Sequence, residues 1–125
     1  MSRKVLIVDD EAEIAEFLAM GFEGYNFEAE VANSVAEAES KLIANQYDVI
    51  LSDIRMPKKD GIALLKWVRE RDKVKPVMFM MTGYSMYSEE EMIKLGAAAV
   101  ITKPLSLESL IEIINNFVPE VAPDA

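Results

Sequence analysis

Four short stretches of the chain are apolar almost without interruption, at residues 5–8, 49–52, 77–81 and 100–102. A strand covered on both faces reads this way, because neither row of side chains meets water. A fifth stretch, residues 27–32, instead alternates apolar with acidic positions, the period-two pattern of an edge strand with one polar face. The segments between repeat their apolar residues at helical spacing. Asp10 with Glu13 resembles a helix start, followed by Ile14, Phe17, Leu18, Gly21 and Phe22 on one stripe and a stop near Gly24. Ser34 with Glu37 opens a second helix, with Val35, Ala38 and Leu42 inward. The third runs from Gly61 to about Arg71, its broad face formed by Ile62, Leu64, Leu65 and Val68. Trp67 falls off that stripe, either covering a helix edge or serving a partner.

The second half continues the pattern. Ser88 with Glu91 is another capping box, and Glu89, Glu90 and Glu91 complement the helix dipole before Gly96 closes the turn. From Ser106 a last helix carries Leu107, Leu110, Ile111, Ile114, Phe117 and Val118 on one face. Strand and helix thus alternate five times with short connections, which predicts a single α/β domain: a parallel sheet with helices on both faces and right-handed crossovers. Residues 119–125 are small, acidic and proline-containing, either a C-terminal tail or the start of a linker.

Composition narrows the chemistry. The 125 residues contain no Cys and no His, so disulfides, thiolate catalysis, imidazole catalysis and thiolate- or imidazole-bound zinc are excluded. A formal charge of −9 argues against nucleic acid or anionic lipid as direct partners of this domain. The apolar run after Arg3 and Lys4 is too short for a secretory or membrane-spanning segment, and a cytoplasmic location is expected.

What remains is carboxylate, hydroxyl and lysine chemistry, and each apolar run ends in such a group. Residues 5–8 lead into Asp9 and Asp10, the third strand into Asp53, the fourth into Thr82 and Gly83, and the fifth into Lys103. Open α/β sheets place their sites at the carboxyl ends of the strands. Taken alone, each residue has a plainer reading: Asp10 a cap, Asp9 a loop acid, Thr82 a turn residue, Lys103 a solvated lysine before Pro104. Together they form a constellation. Three neighbouring carboxylates repel one another, and a hard divalent cation with oxygen ligands, magnesium above all, removes the conflict. A carboxylate beside such an ion can act as nucleophile toward phosphorus, giving an acyl phosphate.

These motifs, in this order and spacing, resemble a response-regulator receiver domain of two-component signalling, over residues 4–118. The resemblance implies the flavodoxin-like (βα)5 fold with strand order 2-1-3-4-5, and a receiver domain at residues 1–118. It implies that Asp53 is the phosphoacceptor, taking its phosphoryl group from a phosphohistidine on a sensor histidine kinase or phosphotransfer protein. It also implies that Asp10 and Asp53 bind magnesium directly, Asp9 through water and Arg55 through its main-chain carbonyl. Lys103 pairs with the carboxylate and then the phosphoryl group, and its bond to Pro104 is expected to be cis. Thr82, with Gly83, moves onto the phosphoryl group, while Arg55 and Tyr84 flank the site and tune phosphate lifetime. Such a domain is not a turnover enzyme, since it catalyses only its own phosphorylation and dephosphorylation. Its output is a changed surface for a downstream protein or a linked effector.

One position departs from the family pattern. The switch aromatic, three residues before the lysine, is Val100 here, so the usual coupling of threonine to ring cannot operate as such. Ile113 and the Met-rich region of residues 78–92 make the face from the fourth to the fifth helix a candidate partner surface, the alternative being that these are core and edge residues. Two other classes fit less well. An aspartyl phosphohydrolase normally has an acid where Arg55 stands, and a flavodoxin-like nucleotide binder has a phosphate loop free of acids where Asp9, Asp10 and Glu11 stand.

Overall fold

The computed structural model describes residues 2–83, 88–103 and 106–119. Strands β1 (Arg3–Val8), β2 (Phe27–Ala32), β3 (Val49–Asp53), β4 (Val77–Thr82) and β5 (Ala99–Thr102) alternate with α1 (Ala12–Glu23), α2 (Val35–Ala44), α3 (Gly61–Arg71), α4 (Glu89–Lys94) and α5 (Leu107–Phe117). The strands form one parallel sheet in the order β2-β1-β3-β4-β5, as the resemblance implies.

Because successive side chains of a strand point to opposite faces, each apolar run feeds two cores. Leu6, Val8, Ile50, Met78 and Met80 pack with residues of α2, α3 and α4 such as Val35, Leu64, Leu65 and Met92. Val5, Ile7, Val49, Leu51 and Phe79 pack with Ala15 and Phe22 of α1 and with Leu110, Ile111 and Ile114 of α5. This double coverage is why β1, β3 and β4 carry no polar row. At the edge, β2 keeps Glu28 exposed and Glu30 half-exposed, as its alternation predicts. Four helices start on a side-chain cap: Ser34, Asp60, Ser88 and Ser106 accept from Glu37, Ala63, Glu91 and Ser109 N–H.

Three expectations change. Helix α1 is rotated from the predicted stripe: Ile14 (41% exposed) and Phe17 (68%) face outward, while Ala15, Leu18, Ala19 and Phe22 face the sheet. The physical reason is close packing. A Cβ on Gly21 would lie 2.4 Å from the Leu107 side chain of α5, so small residues are needed on the inner side. Asp10 is not the cap of α1; Glu11 holds that position, with no side-chain cap bond. Finally, among the described residues Met78, Met80, Met81 and Met92 are buried in the core and Ile113 packs against the α1/α5 core, so these residues take the core reading rather than that of a partner surface.

Candidate functional site

In a parallel sheet every strand ends on the same side, so the residues that follow the apolar runs gather at one edge. Asp9 directly follows β1, Asp53 ends β3, Thr82 ends β4 and Lys103 follows β5. The carboxylates of Asp9, Asp10 and Asp53 each bring an oxygen within 4.8 Å of the others. Asp9 and Asp53 are buried, at 1% and 8% exposure, while Asp10 is open to solvent.

Asp53 is held from two sides. Its Oδ1 accepts from the Lys103 ammonium at 3.0 Å and from the Ile54 N–H at 3.1 Å. No donor among the described residues reaches Oδ2, which leaves that oxygen for chemistry. The backbone beneath it is fixed by glycine: Gly61 N–H donates to the Ile54 carbonyl at 2.8 Å, and a Cβ there would lie 2.3 Å from the Asp53 carbonyl oxygen. Only a residue without a side chain lets α3 start this close to the end of β3.

Asp9 is under electrostatic tension. Its Oδ1 accepts the Glu11 N–H at 2.9 Å, but Oδ2 is buried with no hydrogen-bond partner. Burial, with a smaller contribution from the Asp53 charge, pushes its carboxyl above the usual carboxylate range, against the lowering effect of the Glu11 N–H. Asn33, after β2, donates to the Asp9 carbonyl at 3.0 Å and so positions it. Asn33 was not evident as a site residue, although it too follows a strand, because β2 ends in a capping sequence that explains its polarity equally well.

Thr82 Oγ1 is likewise buried without a partner. The Lys103 N–H donates to the Thr82 carbonyl at 2.8 Å, and Thr82 stands opposite Thr102 in the ladder, so the ends of β4 and β5 are mechanically joined. Arg55 is exposed on the loop after β3 and lines a shallow depression with Met56, Pro57 and Asp60. Gly83 is exposed; Tyr84 and Pro104, with the expected cis bond, lie outside the described residues, where the cis bond found is Lys75–Pro76. Val100 is half-buried, pairs with Met80 and packs against the core on the α3/α4 side.

The donor set fits a hard divalent cation. Among the described residues three carboxylates converge, one of their buried oxygens has no partner, and the ammonium group at hand, that of Lys103, already serves Asp53. An all-oxygen site of this kind suits magnesium.

The chain is 35% identical over 116 residues to the response regulator protein PilR of Pseudomonas aeruginosa, covering 91% of this chain and 26% of PilR. It is 35% identical to the regulatory protein AtoC of Escherichia coli over 86% of this chain and 23% of AtoC, so it spans about a quarter of these two relatives. The Francisella response regulator 1452 receiver domain superposes with a TM-score of 0.84 at 34% identity, covering 92% of this chain and 95% of that one. The Thermotoga maritima response regulator TrrA, solved in complex with Mg(2+)-BeF, gives a TM-score of 0.82 at 26% identity over 91% of this chain and 97% of TrrA. Residues 5–115 match the response regulator receiver domain family, and the chain belongs to that family.

Proposed function

We propose that the chain is a phosphoacceptor switch in which Asp53 takes a phosphoryl group from a phosphohistidine of a sensor kinase or phosphotransfer protein. The observation that carries this reading is the convergence of Asp9, Asp10 and Asp53 at the carboxyl edge with Lys103 bonded to Asp53. An Asp53 oxygen attacks phosphorus, the P–N bond of the donor breaks, and the imidazole leaves with the electron pair and takes up a proton. The product is an aspartyl phosphate, which water later hydrolyses to free phosphate. The donor is external, since this chain contains no His.

Asp9, Asp10, Asp53 and the Arg55 main-chain carbonyl are the groups that would hold magnesium. Bound there, the ion supplies neutralisation of the charge on the phosphoryl oxygens. Lys103 supplies the second positive charge, since its ammonium already lies against Asp53. The Thr82 hydroxyl, buried and unpartnered, is available to donate to a phosphoryl oxygen, with Gly83 N–H beside it. Its displacement is transmitted to β5 through the Lys103 N–H bond to its carbonyl. With valine at position 100, this backbone link takes the place of a ring swing, and the face of α4, β5 and α5 is the output surface. Arg55 and Tyr84 tune access of water to the phosphate.

The partner surface for the donor is the exposed apolar strip Ile14, Phe17 and Met20 on α1, the helix that starts beside Asp10. Residues 1–118 form the receiver unit and 119–125 a tail or linker toward an effector or target. Among the described residues no helix is long and apolar enough to cross a membrane, and we assign the domain to the cytoplasm, where kinase and receiver meet.

The experiment is incubation with acetyl phosphate and magnesium, read by intact mass. The expected result is a base-labile phosphate on the wild-type chain, absent from Asp53→Asn and absent with EDTA. An unmodified wild-type chain under these conditions overturns the proposal, and steady turnover of a phosphoester replaces it with the hydrolase reading.

A further inference from the structure

Of the acids at the carboxyl edge, Asp53 and Asp9 are held by their own side chains and Asp10 is not. Asp53 is bonded through Oδ1 to Lys103 and the Ile54 N–H, and Asp9 through Oδ1 to the Glu11 N–H. Among the described residues no donor reaches the Asp10 side chain, which is open to solvent. Its place relative to Asp9 is therefore set by the main chain. The Asp9 carbonyl belongs to the planar peptide unit that leads to Asp10, so whatever fixes that carbonyl fixes the direction in which Asp10 leaves.

The anchor comes from the edge strand. Asp9 N–H donates to the Ala32 carbonyl at 3.0 Å, which adds one rung to the parallel ladder of β1 and β2. The next rung would need the N–H of residue 34, but Ser34 is the N-cap of α2 and the chain has turned away. The Asn33 side-chain amide stands in for it, donating to the Asp9 carbonyl at 3.0 Å. Helix α2 braces this turn in its own right: Asn33 N–H donates to Glu37 Oε1 at 2.8 Å, and the Lys41 ammonium, 3.9 Å from the Glu37 carboxylate, donates to the Val31 carbonyl at 2.8 Å. The first turns of α2 thus hold the residue that holds the acid pair.

We infer, on the reading of the acidic edge as a magnesium site, that Asn33 is a positioning residue for the cation, keeping Asp9 and Asp10 at the spacing at which both serve one ion. It acts through the Asp9–Asp10 peptide and not by contact with the metal. Outer partners that orient the groups around a metal are worth roughly 10–100-fold in affinity, because a ligand free to turn must be ordered again by the ion. Alanine at this half-buried position leaves the Asp9 carbonyl to water and the peptide free to rotate.

The test is magnesium binding with no phosphodonor present, followed by the amide signals of Asp10 and Asp53 in a proton–nitrogen spectrum of the labelled protein as magnesium chloride is added. Asn33→Ala is expected to raise the magnesium Kd about tenfold. Ser88→Ala is the control for a general loss of stability, since it removes the side-chain cap of α4, far along the sheet from β1 and β2. It is expected to lower the urea midpoint and leave the Kd unchanged. An unchanged Kd for Asn33→Ala, or an equal weakening in Ser88→Ala, overturns the inference while the magnesium site stands. A wild-type chain whose Asp10 and Asp53 signals do not move with magnesium overturns both.

Discussion

At the carboxyl edge of the sheet three acids share one ammonium group, whereas at the amino edge one buried guanidinium is shared by three acceptors. Arg3, only 4% exposed, donates to the Asn115 side chain and to the Val118 and Tyr25 carbonyls at 2.8 and 3.0 Å, and its guanidinium lies 3.9 Å from the centre of the Phe27 ring. It ties the end of α5 and the turn after α1 to the first strand. At the other edge, Asp9 Oδ2 and Thr82 Oγ1 are buried without partners. A buried polar group without a partner costs on the order of 1–3 kcal/mol. Such costs persist where function needs the groups, and the stability has to come from places like the Arg3 clamp.

Removing the clamp is the strongest way to test that division. Arg3→Met keeps the apolar stem but strands the Asn115 side chain and two carbonyls, and is expected to cost about 3 kcal/mol. For a chain of this size that is a fall of roughly 10 °C in Tm. The phosphorylation proposed for Asp53 should be unchanged below the new Tm, measured by intact mass beside the thermal melt. A loss of labelling without a loss of stability would mean that the two edges are not separable.

The two edges also differ in how far they were legible from residues alone. Asp9, Asp10, Asp53, Thr82 and Lys103 stood out because each directly follows an uninterrupted apolar run, and a parallel sheet necessarily brings such positions together. The clamp did not, since an arginine before a strand has the same appearance whether it is solvated or buried under a helix end 112 residues away. The rotation of α1 was missed for a related reason. Ala15 and Ala19 carry little weight in a pattern of large apolar residues, yet α5 packs so closely against Gly21 that small residues take the inner side. Likewise the methionines of β4 read equally well as surface or core, and only the doubly covered sheet decides for core. The role of Gly61 was visible as a helix start, but its contact with the Asp53 carbonyl depends on where α3 lands.

Asp9→Asn tests the tension at the carboxyl edge directly. Burial raises the Asp9 carboxyl above its ordinary range, so the folded state disfavours its charge at neutral pH. The amide keeps an acceptor for the Glu11 N–H and adds donors toward the neighbouring carboxylates. In EDTA the variant is expected to be more stable than wild type by about 1 kcal/mol. Added magnesium should stabilise wild type and reverse the order, because ligand binding stabilises only the state that binds. Urea melts with and without the ion measure both differences. A variant less stable than wild type in EDTA would show that the acids are not in conflict.

The smallest effect is expected from Tyr47→Phe, at the amino edge of the sheet. Tyr47, 6% exposed, donates its hydroxyl to Glu30 Oε1, and that bond is the leading reason why the Glu30 carboxyl lies below its usual range. Losing one such bond on a half-exposed carboxylate costs about 1 kcal/mol at neutral pH. The sign of its pH dependence follows from the depressed Glu30 value. The contribution is complete above the ordinary glutamate range and is lost as pH falls through the lower, folded value. At high pH the Tyr47 hydroxyl itself, raised by burial and by Glu30, favours the protonated folded form, so the contribution is complete below the ordinary tyrosine range and is lost as pH rises through the folded value. The difference in stability between wild type and Tyr47→Phe, taken from urea melts across pH, should therefore be flat at neutral pH and shrink in acid. Groups common to both proteins cancel from the difference, so a gap that widened in acid would place the pH sensitivity in groups other than the Tyr47–Glu30 pair.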